Sequence, residues 1–327
     1  MTDASKTVLT LSVVIPVYNQ RSYIEDAIRS VLTQDRAVQV IIVVDDGSTD
    51  ADYRELESLY ERVRVIRIEN RGVSYARNLG AARADTNVVT FLDADDVWLP
   101  GSLDPQMTYL EENSSVAAVF SDGYYWFPTR GESGRETWPF PDALRSKQDE
   151  TYRVRQMRFI DLLCGEHLGS IGSFFIRKAA FTSLGGFDER LRYAEDHELF
   201  IRASRSYRID LLDMPGMLYR QHAMSATHTF PETNYLADVM VNAVQRYGLE
   251  RGNNEAADRS AVGRRLASVH FAHGYGHFWT GSQAIARREF WQSCKHRLDF
   301  RTLAYFFATV TPGGRTLARS LKKLIRR

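Results

Sequence analysis

The sequence predicts an α/β protein, a mainly parallel sheet flanked by helices, followed by a helical C-terminal region. Three observations predict it. Short apolar, β-rich runs alternate with stretches of helical periodicity through most of the chain. Two of those runs end in acidic turns, and an open parallel sheet binds ligands outside the carboxyl ends of its strands. Beyond about residue 230 every periodic stretch is helical. With 327 residues the chain is large for one core. The expected division is 1–230 for the α/β domain and 231–327 for the helical region.

The elements follow in order. "LSVVIPV" (11–17) is a strand closed by Tyr18-Asn19. In "SYIEDAIRSVLTQ" (22–34), Ile24, Ile28, Val31 and Leu32 lie at helical spacing. Ser22 and Glu25, three apart, form a capping-box pattern there. "VQVIIVVDDGSTD" (38–50) is a buried strand running into an acidic turn, and Asp50 is placed to start a helix near 51–61. "VRVIRIE" (63–69) is a strand, "GVSYARNLGAARA" (72–84) a helix, and "NVVTFLDADD" the next strand and its exit. "SVAAVFSD" (115–122) is a further strand. Aromatics, Arg and Pro crowd 123–158, which reads as a long loop or irregular insertion. A strand, a short helix, a Gly-Gly turn and an acidic helix start return over 171–205. Two helical runs over 266–298 part near Gly281.

Composition narrows the function classes. Hydrophobic content of 44% and charged content of 25% are ordinary for a soluble globular protein. A net charge of +1 supplies no global field for nucleic acid. Cys164 and Cys294 cannot build a disulfide framework or a zinc site. The N-terminus reads as no secretory signal, and "TLAYFFATV" (302–310) is too short to span a membrane. The expected location is cytoplasmic, with a peripheral place on the inner face of the membrane. That second expectation rests on the tail. Residues 279–327 hold eleven Lys/Arg and only Glu289 and Asp299 as acids. Within 313–327, Leu317, Leu321, Leu324 and Ile325 form an apolar stripe among basic residues. Such a helix can lie on an anionic membrane surface, or dock on its own domain.

The chemistry gathers at the strand ends. Taken alone, Asp45-Asp46-Gly47-Ser48 reads as a turn and helix cap. Together with Asp93, Asp95 and Asp96 on the same sheet edge, it accumulates like charge that a structural role leaves unexplained. A hard divalent cation, Mn²⁺ or Mg²⁺, explains it: such ions commonly use one or two carboxylates and substrate phosphates. Asp93 and Asp95 would then hold a metal bridged to a diphosphate. His273 and His277 also have metal-compatible spacing, but no H-E-x-x-H pattern surrounds them, and they read as packing residues.

"VVIPVYNQRSYIEDAIRSVLTQ", "IIVVDDGSTD", "NRGVSYARNLGAARAD", "FLDADDVWLP" and "GGFDERLRYAEDHELFIR" resemble, in order, the motifs of family 2 glycosyltransferases of the GT-A fold. The resemblance covers about 10–225. It implies a Rossmann-like nucleotide-binding sheet and an inverting transferase that uses a nucleotide-activated sugar. Pro16, Tyr18 and Asn19 would border the nucleoside, and Asp46, with Asp45, would receive a uridine or thymidine base. Arg77 would lie near the nucleotide, Asp93 at the ribose or metal, Asp95 at the metal. Asp196 would be the catalytic base, beside Glu195. In "YRQH", Arg220 or His222 would approach the diphosphate or metal. Trp98 would stack on a sugar, or serve the core. The implied partners are a UDP- or dTDP-sugar donor and a glycan or lipid-linked acceptor, as in polysaccharide and cell-envelope synthesis. The Q-x-x-R-W motif of processive synthases is not visible.

Two rivals remain at this level. A nucleotidyltransferase would carry a Gly-rich phosphate loop after the first strand, where "PVYNQRSY" has no Gly. A catalytically silent nucleotide-sugar-binding or partner-recruiting protein would have no use for a base such as Asp196.

Overall fold

The computed structural model describes residues 8–128, 152–165, 170–222, 230–249, 259–316 and 318–319. These fall into two compact units, Met1–Phe159 with His167–Ala223, and Ile160–Glu166 with Met224–Arg327.

The first unit is built on one nine-stranded sheet. Strands β1 (Leu11–Val17), β2 (Val40–Asp45), β3 (Val63–Arg67) and β4 (Val88–Phe91) lie in the order β3-β2-β1-β4. All three of their pairings are parallel, with Ser12 opposite Val40, Leu11 opposite Val88 and Ile41 opposite Val63. Helices α1 (Ile24–Leu32), α2 (Glu55–Leu59) and α3 (Val73–Arg83) join them. Val13, Val14, Ile15, Ile41, Val43 and Val44 are fully buried, as both faces of a covered parallel sheet require.

The other half of the sheet is mixed. Beyond a short β5 (Val97–Trp98) and α4 (Leu103–Glu112) come β6 (Val116–Trp126), β7 (Val154–Gln156) and β8 (Phe175–Arg177), then β9 (Arg208–Arg220). The order continues β4-β8-β6-β9-β5, with β7 also on β9. β8 runs antiparallel to both β4 and β6, while β6 and β9 are parallel. "Mainly parallel" thus describes the β3-β2-β1-β4 half, and the expected insertion begins later than 123 because β6 continues to Trp126. Much of that insertion, 129–151, lies outside the described residues. Helix α5 (Phe159–Cys164) follows β7, and α6 (Lys178–Leu184) and α7 (Glu195–Ser206) lie between β8 and β9.

Two local expectations fail. Ser22 does not cap α1: the helix starts at Ile24 with Tyr23 at its N-cap and no side-chain cap bond. Glu25 is taken instead by Arg21 at 2.7 Å and Arg29 at 2.8 Å, charge-assisted contacts that outcompete a neutral cap. Asp50 likewise accepts from Arg21 N and Tyr53 Oη rather than starting α2.

The second unit is helical: α8 (Tyr235–Tyr247), α9 (Arg259–Thr280), α10 (Gln283–His296) and α11 (Phe300–Ala308). Phe278, Ala286 and Phe290 form its buried centre, with Phe271 and Tyr305 against them. Glu289 is buried and accepts from Asn234 Nδ2 and lies 2.8 Å from His270 Nδ1. Burial opposes its charge, but His270, His273 and Asn234 hold the carboxyl well below its usual range. His273 and His277 each place Nε2 within 2.9 Å of Pro231 O, so both fix backbone within this unit. The start of the basic tail docks here too. Ala318 is buried in the same centre, and Arg315 donates to Phe278 O and Gly281 O. Leu317, Leu321, Leu324 and Ile325 lie outside the residues whose side chains are described. Among the described residues no helix is long and apolar enough to cross a membrane.

Candidate active site

Because β1, β2 and β4 are parallel neighbours, their carboxyl ends share one edge. Pro16 sits buried in β1, opposite Val44, and Tyr18 is half exposed just beyond the strand. Asn19 adopts a positive φ of 53°, a conformation Asn tolerates better than most residues. Its Oδ1 accepts from Thr49 N and its own N–H donates to Ser48 Oγ, which fastens the end of β1 to the turn after β2. Asp45 accepts from Ser48 N at 2.8 Å and pairs with Arg67 at 3.1 Å. Asp46 accepts from Arg71 N at 2.7 Å and Gly72 N at 2.8 Å. Its two oxygens therefore hold the N-terminal end of α3, where negative charge also meets the helix dipole favourably.

Helix α3 carries the centre of the site. Arg77 is buried and forks between two carboxylates: Nη2 to Asp93 Oδ1 and Nη1 to Glu195 Oε1, each at 2.6 Å. Burial opposes its charge, yet Asp93, Glu195 and Asp196 together raise its pKa. A planar guanidinium suits this two-sided duty and an ammonium would not. The next residue, Asn78, donates to Phe187 O and Glu189 Oε1 and accepts from Phe187 N. It thereby pins the segment leading to α7. Gly185 ends α6 in the left-handed conformation, and Gly186, also at positive φ, lies where a Cβ would come within 2.4 Å of Asn78 Oδ1. The two glycines thus serve as cap and as close approach respectively.

Asp196 stands in the first turn of α7, half-buried, with Oδ1 accepting from His197 N. Burial and then the adjacent Glu195 push its carboxyl up to about 6, against the pull of Arg77. The residue at the N-cap of α7, Ala194, has φ 60°. It and Asn19 are the non-glycine residues at positive φ among those described, and both border this edge. Strain concentrated at one place is characteristic of functional sites.

The exit from β4 contributes the remaining acids. Asp95 Oδ2 lies 2.8 Å from His222 Nε2, and His222 stacks on Tyr23 with centroids 4.7 Å apart. Burial, then Asp93, raises the Asp95 pKa. Asp96 is fully buried: Oδ1 accepts from Arg220 N, Oδ2 has no hydrogen-bond partner among the described residues, and burial raises its pKa well above the usual value. Of Arg220 and His222, either of which the resemblance brings near the diphosphate or metal, Arg220 lies buried. It is 1% exposed, stacked between Tyr23 and Trp126, bonded to Asp95 O and paired with Asp26. It braces the acidic turn from behind. Of the two roles open to Trp98, it takes the core one: it is buried, donates to Gly172 O at 2.7 Å and stacks on Phe175.

Asp46, Arg77, Asp93 and Glu195 are thus joined through α3, with Asp196 beside Glu195 in sequence and His222, just beyond β9, against Asp95. The sequence reading missed Asn78, Arg67 and Asp26. Asn78 had a signal, since it follows Arg77 in the "ARN" motif; Arg67 and Asp26 are ion-pair partners supplied only by the fold. Among the described residues no group of three or more His, Cys, Asp or Glu is placed to hold a metal ion by itself. The donor chemistry still fits Mn²⁺ or Mg²⁺, which bind through one or two carboxylates and substrate phosphates. Asp95, with a hard oxygen facing an imidazole, and Asp93 are the residues that would hold it.

This sheet, with carboxylates along its parallel edge and further acids entering from the mixed half, is the frame of a GT-A glycosyltransferase. The chain belongs to glycosyl transferase family 2, whose family profile matches residues 12–184. Over 108 residues it is 41% identical to TuaG of Bacillus subtilis, a glycosyltransferase named for teichuronic acid biosynthesis, covering 32% of this chain and 43% of that one. EpsJ, an uncharacterized glycosyltransferase of the same organism, is 28% identical over 232 residues, 66% of this chain and 62% of that one. The matched stretch is therefore under two thirds of either relative. Crystal structures of S. aureus TarS 1-349 share the fold. The complex with UDP superposes with TM-score 0.60 at 20% identity over 92% of this chain and 81% of that one. The complex with UDP-GlcNAc gives 0.62 at 19% over 94% and 87%.

Proposed function

We propose that the enzyme transfers a sugar, with inversion, from a UDP- or dTDP-sugar to a hydroxyl of a glycan or lipid-linked acceptor. The observation that carries this reading is the Arg77 fork, which ties Asp93 at the β4 exit to Glu195, the neighbour of Asp196. Donor side and base are thereby held by one buried cation. Pro16, Tyr18 and Asn19 border the nucleoside. Asp46 keeps a second lone pair on each oxygen for a base N–H, and Asp45 fixes its turn. Asp196 takes the proton of the acceptor hydroxyl as that oxygen attacks the anomeric carbon opposite the leaving diphosphate. A carboxyl near 6 is mostly ionised at neutral pH and is a stronger base than an ordinary Asp. A bound divalent cation would add charge stabilisation to the leaving group. TarS in complex with UDP and with UDP-GlcNAc supports the choice of a uridine donor, and TuaG, by its name, supports an envelope polysaccharide. A peripheral membrane position, through the basic tail 313–327, would bring the enzyme to a lipid-linked acceptor.

The test is incubation with Mn²⁺ and single nucleotide-sugars, reading free nucleoside diphosphate. Release from one uridine or thymidine donor is expected. Binding of donors without turnover, with or without acceptor extracts, would favour the silent-binder rival. Asp95→Ala should weaken UDP binding far more in Mn²⁺ than in EDTA, and equal losses would remove the metal from the reading.

A further inference from the structure

The helical unit exposes an apolar face. Phe300 is 91% exposed, Leu298 74%, Phe307 59% and Val310 49%. Phe300, Ala304 and Phe307 are exposed at i, i+4 and i+7, one side of α11. The face continues through ring contacts, Phe307 to Phe306 at 5.5 Å and Phe306 to the half-exposed Trp291 at 5.8 Å. Helix α11 buries its opposite side, with Tyr305 against Phe271, Phe278 and Phe290. Folding of this unit therefore leaves large apolar side chains in water, which marks an interaction surface.

The charges around the face select its occupant. Arg297 and Arg301 flank Leu298 and Phe300 in sequence, both exposed. The acid between them, Asp299, is turned to its own helix, accepting from Thr302 N and Thr302 Oγ1. Lys295 lies over the Trp291 ring. A cavity of about 710 Å³ beside the face is lined by Arg264, Arg265, Arg297 and Arg301 with Asp299 as its acid, and the Arg301 guanidinium lies over the Phe271 ring at 4.1 Å. A second copy would bring like charge against like charge in a symmetric contact. Aromatic and aliphatic groups at the rim of guanidinium groups match instead the boundary between acyl chains and anionic phosphates.

We propose that this face docks on an anionic lipid membrane, with Leu298, Phe300 and Phe307 entering the acyl boundary and the exposed Arg297 meeting lipid phosphates. The inference rests on the membrane reading above but moves the contact from the tail, whose start is docked on its own helices, to the 297–310 face. It is independent of the donor chemistry.

The experiment uses the full chain with vesicles of phosphatidylcholine alone or mixed with phosphatidylglycerol. The wild type should co-sediment with the anionic vesicles, less at high salt, and with the neutral ones hardly at all. The triple variant Leu298→Ser, Phe300→Ser, Phe307→Ser changes exposed groups only and should bind at least about ten-fold more weakly. Arg297→Glu should also weaken binding to anionic vesicles. Nucleoside diphosphate release without acceptor, measured in parallel, should be unchanged in the triple variant, which separates failure here from failure of the transferase reading. Wild-type binding by the triple variant, equal binding to neutral vesicles, or no vesicle binding with a dimer that the triple variant dissolves would each overturn the proposal.

Discussion

A carboxyl raised to about 6 makes Asp196 both a better base and a liability to the fold. The unfolded chain releases this proton near 3.8, the folded chain only near 6. Between those values the folded state binds more protons, so stability falls as pH rises through the window, and the loss is complete above it. Asp196→Asn should therefore raise the urea midpoint at pH 7.5 and leave it nearly unchanged at pH 4. In activity the same change should lower turnover by about 10²–10⁴ while donor affinity stays within a few-fold. Turnover above about a tenth of wild type would assign the proton to another residue. The wild-type rate should rise with pH through about 6, as the base ionises. Arg77 works in the opposite sense. Arg77→Ala leaves Asp93 and Glu195 without their shared cation, and breaking such a buried pair costs about 3–5 kcal/mol. Denaturant titration at pH 7 measures it, and a loss below about 1 kcal/mol would mean the fork is dispensable to the fold.

At the scale of elements, α3 is the part on which the site depends. It accepts the hold of Asp46 at its first turn, sends Arg77 to two strand and helix ends, and binds the segment before α7 through Asn78. Gly186→Ala would drive a methyl into Asn78 Oδ1 and force a side chain to φ 72°. It should cost about 1–3 kcal/mol and reduce turnover more than Gly185→Ala, whose Cβ meets nothing within 4 Å. Equal effects of the two would place the loss in backbone strain alone. The strands of the parallel half were legible because their residues are apolar on both faces and end in turn residues: Leu11–Val17 matches the run read from sequence. β9 was not, because Pro215 and Gly216 interrupt it. The fold accommodates them where the β6–β9 register shifts between Ser121 and Gly123. At the site, residue types announced the acids, but not which would face solvent. Arg220 and Trp98 fit a ligand role by type, and only tertiary packing turns them inward. Ala194 carries no sign of its strain, since φ is imposed by the chain around it.

For the molecule as a whole, a net charge of +1 conceals a basic C-terminal stretch. Removing 313–327 takes six basic residues and no acid, yet charge is not the only loss. Ala318 leaves the Phe278–Phe290 cluster, and two carbonyls lose Arg315. About 2 kcal/mol of local stability should go with them, read as faster amide exchange in α9 and α10. Unchanged exchange would show the tail to be an ornament of that unit rather than part of it.

The order of the sheet also sets a timetable for synthesis. β1 is made first but lies between β2 and β4, and β4 is bordered by β8, which pairs β6, which pairs β9. No complete sheet exists until Arg220 has left the ribosome. Some two hundred residues separate β1 from that point, about 10–40 s of translation at the usual bacterial-to-eukaryotic range of rates. Through that interval "LSVVIPV" and "VIIVVD" are nascent hydrophobic segments with at most the parallel half to shelter them. Ribosome-stalled chains ending near 130 should accordingly be cut readily by protease and held by chaperone, and chains stalled beyond about 260 should resist both within strands β1 to β4 and β9.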